Sequence, residues 1–245
     1  MKKIIINLIS AFFPTRELRK KIRTVLDERF STVSGRNNKI VLTSADGEKQ
    51  VRSIRKVKIK IKGCNNIIRI PKEHNLRGFI DIRTDNCLID IQSCNKLNLR
   101  IHTVDQSGQK LIIGTGTTIH GAVIFLNEKD AAVTIGKNCL FSNSIVIWAT
   151  DGHSVVEKST GQILNHIKHP VTIEDNCWIG WGVIMTKNTH ISSHSIVGGG
   201  SVVTREFEKG NVVIAGNPAK IIKTDVCWNE YTPACLEKTR SKENL

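Results

Sequence analysis

Residues 171–203 read VTIEDNCWIGWGVIMTKNTHISSHSIVGGGSVV, and this stretch decides the fold. An aliphatic or Met residue stands at every sixth position: Ile173, Ile179, Met185, Ile191, Val197 and Val203. A helical stripe would repeat near 3.6, whereas six is a multiple of the strand period of two and returns each residue to the same face after a bend. A second series, Cys177, Val183, Thr189, Ser195 and Ser201, follows four places after successive anchors. All but Val183 are Cys or small polar residues. The two series predict short strands with one large and one small residue inside, joined by Gly, Asn and Asp turns. Such coils stack into a parallel β-solenoid, an all-β fold.

Composition agrees. The chain has 245 residues, enough for a sizeable core, yet only 5% are aromatic. A narrow core of Ile, Val and small residues needs few rings. Lys and Arg number 36 against 22 Asp and Glu, a formal charge of +14. That excess suits anionic partners such as an acidic polymer, a phosphorylated cofactor or an acidic membrane face. Nucleic acid is not expected, because the basic residues are not interleaved with aromatics suited to base stacking. The seven Cys form no C-x-x-C pair and are read as buried small hydrophobes in a reducing compartment; neither a zinc nor a disulfide framework is expected.

Residues 1–35 form a segment of their own. The apolar run from Ile4 to Phe13 is about half the roughly 20 residues of a spanning helix. From Thr15 to Phe30, Leu18, Ile22, Val25 and Leu26 lie on one helical face among several Arg and Lys, with Gly35 as a stop. This basic helical segment either caps the first coil of the solenoid or lies on an anionic membrane surface. From residue 36 the repeat is present but degenerate, with turn-rich groups at 63–66, 83–86 and 92–95. Seven Lys or Arg and no acid fall between Lys49 and Lys62, so one outer surface is strongly basic. Phase returns at Ile113 and Ile119, breaks over 126–132, and resumes at Ile135, Phe141 and Ile147. It is lost again over DGHSVVEKSTGQILNHIKHP at 151–170, a polar loop protruding from a rigid scaffold, where function tends to reside. Residues 224–245 form a tail: Trp228 and Tyr231 pack back on the last coil before a charged, disordered end.

Four blocks, KNCLFSNSIVIWATDGHS, VTIEDNCWIGWGVIM, IVGGGSVVTRE and AGNPAKIIK, occur in that order. They resemble the hexapeptide-repeat acyltransferases, and among them the galactoside, xenobiotic and surface-polysaccharide O-acetyltransferases. The resemblance covers about Ile112 to Lys223. It implies a left-handed β-helix over 36–223, a homotrimer and acetyl-CoA as donor. It also implies that His153 is the general base, accepting a proton from a sugar hydroxyl that attacks the thioester directly. Asp151, or a backbone carbonyl, would orient the imidazole. By position, Gly180, Trp181, Gly199 and Ser201 would line the pantetheine path, and Thr204, Arg205 and Lys220 would meet the CoA phosphates. Trp181 departs from the smaller residue usual after I-G and would otherwise wall the acceptor pocket. Trp148 and Asn143 are the acceptor-binding candidates, by stacking and by amide hydrogen bonds. No metal is expected. His166 and His169 are read as shaping the loop, neither in a recognisable pair, and Trp178 as packing at a coil corner.

The leading reading is an enzyme that O-acetylates a capsule or lipopolysaccharide sugar, an acidic polysaccharide suiting the basic surface. It would act in the cytoplasm or on the inner face of the membrane through residues 1–30. N-acetylation of a nucleotide-linked amino sugar is the near alternative; that group usually carries a nucleotide-binding domain in front, and 35 residues are too few. A zinc carbonic anhydrase on the same solenoid would need three clustered histidines, with His190 and His194 as candidates. A non-catalytic binding scaffold would leave the DGHS loop without a purpose.

Overall fold

The computed structural model describes residues 31–243; the helical segment expected over 1–30 lies outside them. The twenty-two strands among the described residues form two sheets, of thirteen and nine strands. Pairing is parallel except at the two ends. The larger sheet bends, so that it supplies two of three faces: Thr118–Phe125 pairs through its first half with Leu140–Phe141 and through its second with Ile145–Trp148. The smaller sheet is the third face. The prism is a left-handed parallel β-helix with one protruding loop.

In the C-terminal coils register partners lie eighteen residues apart, three hexads: Ile173 beside Ile191, Ile179 beside Val197, Met185 beside Val203. All six anchors and all five members of the second series are buried. The corners are equally periodic. Asn176, Gly182, Asn188, His194 and Gly200, every sixth residue, have φ between 57° and 71°. The left-handed conformation turns the chain sharply from one face to the next, and Gly and Asn accept it at least cost. His194 therefore stands at a turn and is exposed, not gathered with other histidines.

The N-terminal coils are wider, and their corners are tied by polar ladders. Asn66 is fully buried: Nδ2 donates to Asn38 Oδ1 (3.0 Å) and Thr84 O (2.9 Å), and Oδ1 accepts from Cys87 N (2.8 Å). On the outside, Asn37 bonds Asn65, and Asn65 bonds Asn86, all three with φ near 58°. The basic run shapes a half-buried strand, Val57–Ile61, whose Ile59 and Ile61 are buried.

Pairing begins before residue 36: Thr32–Val33 runs parallel to Lys60–Ile61, and Gly35, at φ 93°, turns a coil corner. The tail differs from expectation as well. Trp228 does return, donating its indole N–H to Asn176 O at 2.6 Å and packing on Trp178, but Tyr231 is exposed. The segment after it is a helix, Pro233–Glu243, rather than a disordered end. Trp178 lies on a flat face, in register with Leu140 and Ile196, not at a corner. Cys87, Cys139 and Cys177 are buried as expected, but Cys227 and Cys235 are exposed. Among the described residues no helix is long and apolar enough to cross a membrane.

Candidate active site

The loop 151–170 leaves after strand Ile145–Trp148 and returns at Val171–Ile173. Its outer part is a short hairpin, with Leu164 N donating to Val155 O and Glu157 N to Gln162 O, both at 2.8 Å. Its root is fixed by the coils on either side. Glu128, from the preceding coil, accepts the Thr150 hydroxyl and the Asp151 N–H (3.2 Å), and Thr150 Oγ1 accepts the Gly152 N–H at 2.9 Å. Asn188, from the following coil, accepts the N–H groups of Lys168 (2.8 Å) and His169 (3.3 Å).

His153 is exposed on this anchored turn. The expectation that Asp151 orients its ring is not met in the geometry. The Asp151 carboxylate is taken by Lys187 Nζ at 2.7 Å and Asn165 Nδ2 at 2.7 Å. Burial alone would raise the Asp151 carboxyl, but hydrogen bonds from Lys187 and Asn165 and the Lys187 charge outweigh it and hold it below the ordinary range. Among the described residues no side chain hydrogen-bonds the His153 ring. Its basic nitrogen is thus open to a substrate, while its backbone is held.

Trp148, 40% exposed, ends an outward row of rings: its centroid is 4.0 Å from Phe125 at 12°, and Phe125 is stacked on His102 at 5.3 Å. One indole face is therefore covered, and only the other is open to stacking. Asn143 lies across the face, at the corner before Ile145. There the backbone forms a column: Gly182 N donates to Asn143 O (3.0 Å) and Gly200 N to Trp181 O (2.7 Å). Trp181 projects from this column, 63% exposed, and Gly199 beside it is exposed.

Two of the residues expected along the pantetheine path are not on the surface. Gly180 is buried, and a Cβ there would sit 2.6 Å from Gly199 N, so glycine is demanded by the close approach of two coils. Ser201 is 1% exposed; its hydroxyl donates to Gly198 O (2.6 Å) and accepts from Gly216 N (3.2 Å), which makes it part of the inward series. Thr204 and Arg205 are exposed at the opposite corner, and Lys220 is exposed on the closing hairpin. Trp148, Asp151 and His153 thus gather at one edge of this face and Asn143, Trp181 and Gly199 at the other. The four strand residues between span roughly 13 Å at 3.3 Å per residue.

Sequence reasoning missed Lys187 and Glu128, because each meets the loop root from another coil, and Asn165, because nothing in the loop sequence marks it. It also left His169 unpaired, whereas His169 Nε2 lies 2.5 Å from Glu206 Oε1. Glu174, in the turn after Ile173, bonds His190 Nε2 (2.8 Å) and accepts Ser193 N–H and O–H (2.8 Å each). Burial would raise the Glu174 carboxyl, but these bonds lower it. The ligand-type atoms of His190, Glu206 and Glu208 come within 4.8 Å of one another on this third face, where Glu206 and Glu174 are already hydrogen-bonded to His169 and His190.

A left-handed parallel β-helix that carries one long loop, with an anchored turn and an exposed histidine, is the class that fold and site define. No family model matches the chain. In sequence it is 30% identical over 125 residues to the polysialic acid O-acetyltransferase of Escherichia coli O1:K1 / APEC, covering 51% of this chain and 40% of that protein. It is 35% identical over 96 residues to the galactoside O-acetyltransferase of Escherichia coli K12, 38% of this chain and 45% of that one. The match to the polysialic acid O-acetyltransferase of Neisseria meningitidis is 28% over 205 residues, 84% and 78%. The chain spans about half the length of the first of these curated relatives. Among solved structures, the polysialic acid O-acetyltransferase OatWY superposes with a TM-score of 0.66 at 24% identity, covering 86% of this chain and 97% of the other. The polySia-specific acetyltransferase NeuO gives 0.55 at 22%, covering 88% and 90%. The sequence matches are to O-acetyltransferases, as the resemblance implied, and the fold is that of the two solved polysialic acid acetyltransferases.

Proposed function

We propose that this chain is an O-acetyltransferase that moves acetyl from acetyl-CoA to a hydroxyl of a surface carbohydrate, with His153 as general base. The observation that carries the reading is the His153 turn: a backbone pinned from both flanking coils and a ring left free, next to an indole with one open face. The imidazole takes the proton of the acceptor hydroxyl as its oxygen attacks the thioester carbonyl. The C–S bond breaks as the carbonyl re-forms, and the proton passes from the imidazolium to the departing sulfur. No enzyme nucleophile is required. Arg205 and Lys220 offer exposed cations for the CoA phosphates, and Thr204 a hydroxyl.

Acidic polysaccharide is the acceptor class we favour, because the relatives named for polysialic acid match most of the chain and because the chain is strongly basic. A homotrimer is part of the same proposal. The edge with His153 and the edge with Trp181 are too far apart to meet in one copy, and a neighbour can bring its own edge to the groove. The expected acceptor contacts of Trp148 and Asn143 are then divided between the two edges. Peripheral membrane contact through residues 1–30 and action on the cytoplasmic side remain parts of this proposal.

The test is thiol release from acetyl-CoA by purified full-length chain, with a panel of acidic and neutral bacterial polysaccharides. One acidic glycan is expected to stimulate release, and His153→Ala to slow it by about 10²- to 10⁴-fold while CoA still binds. No stimulation by any glycan, together with no CoA binding, sinks the assignment.

A further inference from the structure

We infer that Asn165 is a positioning residue for His153, and that Lys187 ties the pair to the solenoid. The inference rests on the reading of His153 as base. The Asn165 amide leaves no polar atom idle. Its Nδ2 donates to Asp151 Oδ2 at 2.7 Å and to the His153 carbonyl at 2.8 Å, and its Oδ1 accepts the Val155 N–H at 2.8 Å. One side chain from the returning limb thus closes around the residues on both sides of Gly152 and His153 in the outgoing limb.

Lys187 supplies the anchor. It stands on the coil after the loop, its side chain 10% exposed, with Nζ 2.7 Å from Asp151 Oδ2 and bonded also to the Asn165 carbonyl. A cation this deeply buried requires its counter-charge, and Asp151 provides it. Asp151 therefore serves His153 at one remove, as the carboxylate on which Lys187 and Asn165 converge. The node is selective for an amide. Aspartate at 165 would set a second carboxylate against Asp151 and lose both donors, while glutamine would push the group outward by a methylene.

Because no side chain among the described residues holds the imidazole, the ring is placed by its backbone, and a displacement near 1 Å can cost about a hundredfold in rate. The test compares the full-length chain with Asn165→Ala, His153→Ala and the double variant in acetyl transfer. Asn165→Ala is expected to lower kcat by about 10- to 100-fold, with KM for acetyl-CoA changed by no more than about twofold. In the His153→Ala background the same substitution should cost nothing further, because it acts through a group already removed. A second readout needs no activity. The Val155 amide should exchange at least about tenfold faster in Asn165→Ala, while amides of Val171–Ile173 keep their protection. A cost that persists without His153, a raised KM at unchanged kcat, or unchanged Val155 exchange each overturns the inference. If the parent chain transfers acetyl to no acceptor, the functional reading fails by itself, and the exchange result still decides whether Asn165 holds the His153 turn.

Discussion

The two ends of the solenoid solve the same problem with different chemistry. In the C-terminal coils the interior is a repeating pair, one large aliphatic and one small residue, and the turn comes from a left-handed Asn, His or Gly at every sixth position. In the N-terminal coils left-handed Asn37, Asn65 and Asn86 also turn the chain, but the corners are wider, and buried side chains bond their extra backbone groups: Asn66 takes the Thr84 carbonyl and the Cys87 N–H, and Gln109 the Gln106 and Glu128 carbonyls, with the Thr84 hydroxyl linking Thr103 and Gln109. Apolar burial tolerates small changes of shape, whereas a buried polar ladder works only when every member is satisfied. The C-terminal coils should therefore yield gradually to substitution, and the N-terminal coils abruptly.

The largest effect is expected at Asn66. Replacing it with Leu keeps the approximate volume but strands the Thr84 carbonyl and the Cys87 N–H, each a loss of about 1–3 kcal/mol, while Asn38 Oδ1 keeps the Asn66 backbone N–H. A total near 4 kcal/mol in denaturant unfolding is the expected outcome, with faster amide exchange confined to the N-terminal coils. A cost below about 1 kcal/mol would mean that the ladder decorates a corner held by other forces.

Ile179→Ala should come next. The side chain is fully buried between Phe141 and Val197 in adjoining coils, so its loss combines transfer and cavity terms, about 3 kcal/mol. If Ile179→Ala proves more damaging than Asn66→Leu, the contrast between the two ends is reversed.

How much of this was legible in the sequence follows the same division. Period six gave the core and corners of residues 171–203 because each hexad repeats one environment, and the large and small inward series are both buried as read. The group GCNN at 63–66 was read only as a turn. Asn65 does turn, but Asn66 points inward, and nothing local distinguishes two adjacent asparagines with opposite fates. His153 was singled out through resemblance and by its place in a loop that breaks the period. The bonds that hold its turn were not legible: Asn165 sits in the polar loop without a pattern, and Lys187 occupies a corner where a cation ordinarily faces water. Ser201 and Gly180 went astray for another reason. Both lie in a stretch assigned to a groove by position; Ser201 already stood in the small inward series, whereas the burial of Gly180 comes from a coil-to-coil contact that no spacing shows.

The smallest effect is the most discriminating for the C-terminal coils. If their corners are set by backbone conformation alone, Asn176→Gly should be nearly neutral, because glycine adopts φ 57° freely, and Asn176→Ala should cost about 1–2 kcal/mol. Asn176 also offers its carbonyl to the Trp228 indole, a bond that both substitutions leave in place, so the difference between them isolates the left-handed conformation from the docking of the tail. Equal costs for Gly and Ala, measured by thermal or denaturant unfolding, would show that the asparagine side chain rather than its backbone angle holds the corner. The two ends of the solenoid would then share one mechanism, side-chain ladders throughout, and the regular spacing of Asn and Gly at the C-terminal corners would need a different explanation.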